Sequence, residues 1–76
     1  MTDSPHDFGK PLKRSVSIAR HRTSLSLELS YWATLKTVAE RKKISLSKLV
    51  SEIDSVRGTV NLSSAVRQFV LKERSQ

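Results

Sequence analysis

The chain contains no cysteine, which excludes disulfide staples and thiolate metal sites and fits a reducing compartment. Glycine and proline occur only twice each, and Pro5, Gly9 and Pro11 all fall in the polar opening stretch. That composition predicts a flexible arm over residues 1–12. The arm carries Asp3 and Asp7 and lacks the apolar core of a signal peptide. No stretch is long and apolar enough to cross a membrane, so a cytoplasmic protein with no membrane partner is expected. Acids are also scarce, with 7 Asp and Glu against 14 Lys and Arg. The net charge of +7 points to a polyanionic partner. The imbalance is local: between Phe8 and Leu27 stand Lys10, Lys13, Arg14, Arg20 and Arg22, and no acid. A solvated basic tail is the plain alternative.

Catalytic chemistry has no foothold. No nucleophile motif, glycine-rich phosphate loop or nucleotide fingerprint is present. Glu52 and Asp54 do not form a catalytic carboxylate pair. His6 and His21 lie far apart with no ligand-type neighbour. The expectation is a protein that is not an enzyme, with no metal and no cofactor.

Residues 13–76 read as one small domain. Leu25 and Leu27 alternate with Ser24 and Ser26, the pattern of a strand with one apolar and one polar face. Val16 and Ile18 also alternate with serines, but in the opposite parity. A straight strand through both would turn Val16 and Ile18 outward, so a bulge or bend is expected between Ala19 and Thr23. Residues 14–19 are otherwise read as an arm that orders on binding. Three helices follow. The first begins near Ser30 as N-cap, carries Trp32, Leu35 and Ala39 on its apolar stripe, and ends near Lys42 or Lys43. Ser45 caps the second, with Leu46, Leu49, Val50 and Ile53 on one face, and Gly58 stops it. Asn61 caps the third, which runs to about Arg74. No internal repeat stands out. The fold class is mainly α with one short strand, in the order β-α-α-α.

A single strand leaves a row of unpaired N–H and C=O groups. A domain of this size is marginal alone, and the simplest remedy is a second copy. Two antiparallel copies of residues 23–27 would make an intermolecular ribbon within an intertwined homodimer. Leu25, Leu27, Trp32, Leu35, Leu49 and Ile53 are its expected core.

At this point the chain resembles the ribbon-helix-helix DNA-binding family. The residues that carry the resemblance are T-S-L-S-L for the ribbon, S-Y-W-A-T-L-K-T-V-A-E-R-K-K for the first helix and I-S-L-S-K-L-V-S-E-I for the second. K-R-S-V-S-I-A-R-H-R-T-S-L-S-L-E, E-I-D-S-V-R and N-L-S-S-A-V-R-Q-F-V-L together are similar to one bacterial subgroup with an extended N-terminal segment and a third helix. The resemblance implies a homodimeric transcriptional regulator, a repressor, whose ribbon enters the DNA major groove. It implies base contacts from Arg22, Ser24 and Ser26, and phosphate contacts from the start of the second helix at Ser45, Leu46 and Ser47. Arginine at Arg22 suits a bidentate grip on guanine, and a helix start suits phosphate. Lys42, Lys43 and Lys48 are expected on flanking phosphates, as are Lys13, Arg14 and Arg20 of the preceding segment. Two-fold symmetry implies a palindromic or pseudo-palindromic duplex site. The rival readings are a solvated strand face at Ser24 and Ser26, a dimeric protein-interaction module, and an antitoxin of a toxin–antitoxin pair.

Overall fold

The computed structural model describes residues 10–18 and 21–75. Two strands, β1 (Pro11–Ile18) and β2 (His21–Glu28), are followed by α1 (Leu29–Lys42), α2 (Leu46–Val56) and α3 (Leu62–Arg74). The mainly helical class and the antiparallel two-stranded ribbon match expectation. The origin of the second strand does not. β1 pairs with β2 of the same chain, in a register that sets Leu12 against Leu27, Val16 against Thr23 and Ile18 against His21. The element order is therefore β-β-α-α-α, and the pairing expected between two copies is made within one.

This hairpin resolves the parity conflict. Directly opposed residues of an antiparallel pair share a face. Reversing the chain between Ile18 and His21 brings Val16 and Ile18 to the same side as Leu25 and Leu27. All four are buried. The chain thus reverses direction, where a bulge or bend between Ala19 and Thr23 is expected; residues 21–23 already belong to β2, and residues 19 and 20 lie outside the described residues. β1 also begins at Pro11, inside the segment read as an arm, whose residues 1–9 lie outside the described ones.

The helices cover the apolar side of the ribbon. α2 packs along β1 and α3 along β2, while α1 touches β2 and both other helices. Leu25, Leu27, Trp32, Leu35, Leu49 and Ile53, expected in a dimer core, are all buried within one chain. Trp32 shows why the ribbon is anchored at its open end. Its ring is buried, and its Nε1–H donates to the Leu12 carbonyl at 3.0 Å. The indole thus keeps its polar atom satisfied and ties α1 to β1.

Capping fixes two helix starts as expected. Ser45 Oγ accepts the Lys48 N–H at 3.0 Å. Asn61 Oδ1 accepts from Ser63 N–H at 2.9 Å and Ser64 N–H at 3.4 Å. The start of α1 differs from expectation. Its N-cap position is Glu28, which makes no side-chain cap, and Ser30 lies in the first turn. α1 ends where Lys43 turns left-handed, with φ 60°, and the Ile44 N–H reaches back to the Ala39 carbonyl at 3.0 Å. That turn places Ile44 against the core. After α2, Gly58 adopts φ +61°, a conformation that costs a side-chain-bearing residue about 1–2 kcal/mol.

Candidate nucleic-acid interface

With the apolar residues turned inward, the opposite face of the ribbon is polar. Across it run the pairs Lys13–Ser26, Ser15–Ser24 and Ser17–Arg22. Lys13, Ser15, Ser17, Arg22 and Ser24 are exposed and Ser26 is half-buried. The three residues expected to meet bases, Arg22, Ser24 and Ser26, therefore stand in one row on β2. The row beside it, Lys13, Ser15 and Ser17, is supplied by β1. The sequence alone places Lys13 among the flanking phosphate contacts and gives Ser15 and Ser17 no part in the site. Their signal was the alternation around Val16 and Ile18, which becomes a surface only once the second strand is known.

Chemically this face offers two cations and four hydroxyls that donate or accept. Among the described residues, neither Lys13 nor Arg22 is engaged in an ion pair. The acid at the ribbon's open end, Glu28, is held internally. Arg67 of α3 bonds both its carboxylate oxygens, Nε to Oε1 at 3.1 Å and Nη2 to Oε2 at 3.2 Å. The Arg67 hydrogen bond holds the Glu28 carboxyl below the ordinary carboxylate range. Arg67 Nη2 also donates to the Ser26 carbonyl at 3.3 Å, so one side chain neutralises the ribbon's acid and satisfies a strand carbonyl.

The residues expected on phosphates divide into groups. Ser45 is exposed, and Leu46 and Ser47 are half-buried, at the start of α2. The first intrahelical bond there comes from Leu49 to the Ser45 carbonyl at 3.1 Å. Lys48 takes the Ser45 hydroxyl, and among the described residues no acceptor takes the N–H groups of Leu46 and Ser47. Those are the groups a helix start offers an anion. Arg14 is not on an arm. It belongs to β1, opposite Leu25, with its guanidinium carbon 5.2 Å from the Trp32 ring centroid. It shares a cleft with Leu46, Trp32 and Lys36, so Arg14 and the α2 start are brought together, and Lys36 joins them without a signal in the sequence. Lys42 and Lys43 are exposed at the end of α1, and Lys48 is exposed on α2. Arg20 lies outside the described residues.

In a comparison with known families, the model described as ribbon-helix-helix domain matches residues 11–74. No curated protein and no solved structure matches the chain.

Proposed function

Because this chain belongs to the ribbon-helix-helix family, which generally dimerises and binds DNA, we propose that it is a sequence-specific, double-stranded-DNA-binding transcriptional regulator, a repressor acting in the cytoplasm. The observation that carries the reading is the outer face of the ribbon: two cations and four serines, with the neighbouring carboxylate taken up by Arg67. A strand pair of this width fits the major groove. There Arg22 grips guanine, Ser24 and Ser26 make adaptable base contacts, and the α2 start at Ser45, Leu46 and Ser47 holds a phosphate. Arg14 and Lys48 reinforce that grip, with Lys42 and Lys43 on phosphates further out.

The working unit is a homodimer. The outward residues of one strand, 13 to 17, span about 13 Å, or about four base pairs at 3.4 Å per step. Four base pairs recur throughout any genome, so useful specificity calls for a second ribbon on the same duplex. A two-fold relation between copies makes the whole site palindromic or pseudo-palindromic.

The test is fluorescence anisotropy with duplexes from the DNA upstream of the protein's own coding region, over a range of salt. Saturable binding that weakens steeply with salt is expected, with Arg22→Ala costing about 1–3 kcal/mol and relaxing one base preference. Binding that is absent, or blind to sequence, overturns the reading. One observation favours a second reading as a protein-binding module or antitoxin. A cleft of about 260 Å³ between the end of α2 and α3 is lined by Ile53, Val56, Val60 and Phe69, and Val56 is 81% exposed. Retention of a partner protein there, with no duplex binding, would favour it.

A further inference from the structure

No internal repeat is expected from the sequence, yet the register sets two similar six-residue stretches side by side in the ribbon. K-R-S-V-S-I (residues 13–18) and R-T-S-L-S-L (residues 22–27) share a cation, a serine, an aliphatic residue, a second serine and a second aliphatic residue at the same spacing. The register turns this likeness into symmetry. A two-fold axis normal to the ribbon, through the Ser15–Ser24 pair, exchanges the strands and keeps their direction. It carries the Lys13–Ser26 pair onto the Arg22–Ser17 pair, and both pairs are present. Val16 and Ile18 fall on Leu25 and Leu27, and all four are buried. The register sets where the axis passes and which cation stands at each corner.

Two of the three helices, α2 and α3, echo the same relation in their sequences and in the strand each covers. S-L-S-K-L-V-S-E-I (45–53) and N-L-S-S-A-V-R-Q-F (61–69) align without a gap. Each is capped by the side chain of its first residue, and Val50 and Val66 are equally buried. α2 lies along β1 and α3 along β2. The α2 start shares a cleft with Arg14, and the α3 start shares one with Thr23. Arg14 and Thr23 are the residues the axis exchanges.

We propose that one chain is by itself a pseudo-symmetric DNA-reading head, in which Lys13 is the two-fold counterpart of Arg22 and reads a base rather than a phosphate. This rests on the DNA-binding reading above and goes beyond it: both strands of the reading surface come from one molecule, and their chemistry differs at one pair of corners. The cations stand four residues apart along the ribbon, about 13 Å. They address bases about four base pairs apart, on opposite strands of the duplex. Arginine presents a rigid fork to guanine O6 and N7, and lysine presents a mobile point charge to the same atoms. Each head therefore reads a short quasi-palindrome with one sharp arm, under Arg22, and one blunter arm, under Lys13.

The test is selection from a random duplex pool with the full chain and three variants. Wild type is expected to select a motif whose two arms prefer guanine on opposite strands, one arm more strictly. Lys13→Ala erases the blunter preference, with about a tenfold loss on the selected site, and leaves the other arm intact. Arg22→Ala does the reverse. Lys13→Arg sharpens the blunter arm until the arms match, a result that a phosphate-contacting lysine would not give. Melting curves identical to wild type for the Lys13 variants separate reading from folding, because Lys13 is exposed and forms no ion pair among the described residues. The proposal is overturned if Lys13→Ala weakens all duplexes alike with the motif unchanged, or if Lys13→Arg leaves the asymmetry in place. A wild-type chain that selects no duplex overturns the DNA-binding reading and this proposal with it.

Discussion

Replacing Ile18 by alanine asks whether β1 belongs to the folded unit. Ile18 is 2% exposed and sits at the closed end of the hairpin, opposite His21. Burying an isoleucine side chain is worth about 1.5–3 kcal/mol, and truncation leaves a cavity that adds to the loss. Substitutions of this kind cost about 2–5 kcal/mol. Ile18 closes the end of a strand, where neighbours relax more readily, so we expect the lower part of that range, about 2–3 kcal/mol. For a domain of this size each kcal/mol moves the melting midpoint by about 4–8 °C, so a fall of about 10–20 °C is expected. The neighbouring Ser17 is exposed on the other face, and Ser17→Ala should stay within about 0.5 kcal/mol of wild type. The assay is thermal and urea unfolding followed by far-ultraviolet circular dichroism, at two protein concentrations a hundredfold apart. A ribbon closed within one chain keeps the Ile18→Ala penalty at both concentrations. A ribbon closed only between chains would add a concentration-dependent shift approaching about 2.7 kcal/mol. An Ile18→Ala midpoint equal to that of Ser17→Ala, or an Ile18→Ala penalty that disappears at one of the two concentrations, would refute the intrachain ribbon.

Three further outcomes are expected. Asn61→Ala removes an acceptor serving two N–H groups and should cost about 1–2 kcal/mol in urea unfolding, at least as much as Ser45→Ala, which frees one. Glu28 has its carboxyl held below the ordinary range by Arg67, so the pair's stabilisation is present above the unfolded-state carboxylate pKa and is lost as pH falls through the lower folded one. Glu28→Gln should therefore lower the melting temperature at neutral pH and converge with wild type in acid; parallel pH profiles would exclude the pair as a stabilising contact. Lys48→Ala should weaken duplex binding alike on all sequences and reduce the salt slope by about 1, measured by anisotropy against salt concentration.

How much of this was legible in the sequence depends on whether the local signal matched the local cause. Ser45 and Asn61 were readable because a polar residue directly precedes an apolar stripe of helical period, and nothing else competes for their side chains. Ser30 has the same look, but the helix starts earlier. β2 runs without a loop into Leu29, and the side chain at the N-cap, Glu28, is drawn away by Arg67 from a helix thirty-nine residues on. No local pattern announces a long-range partner of that kind. The hairpin was half legible. Opposite parities in Val16/Ile18 and Leu25/Leu27 demanded a change of direction, but a full reversal is normally flagged by glycine, asparagine or aspartate at the turn, and Ala19-Arg20 carries none. Without that mark, the alternation of Leu25 and Leu27 points to a mate in another molecule. The same omission hid half the candidate interface, because Ser15 and Ser17 become neighbours of Ser24 and Arg22 only through the register.

The third helix takes on a definite role once the ribbon is closed within the chain. A ribbon has two strands to cover, and α2 lies mainly along β1. In an arrangement of identical copies, a second α2 would cover the second strand. Here β2 belongs to the same molecule, and α3 lies along it with a sequence that follows α2 position by position. Arg67 stands where α2 has Ser51, and it is the departure that fits α3 to its own strand, since it bonds both Glu28 and the Ser26 carbonyl. Closing the ribbon across two intervening residues costs far less chain entropy than a long connection, and it no longer depends on protein concentration. It also frees the two halves to diverge. Identical copies must offer the same cation at both corners of a shared ribbon, whereas one chain can carry arginine at one and lysine at the other. Pseudo-symmetry supplies the geometry of a two-stranded reader, and covalent linkage lets its two arms differ.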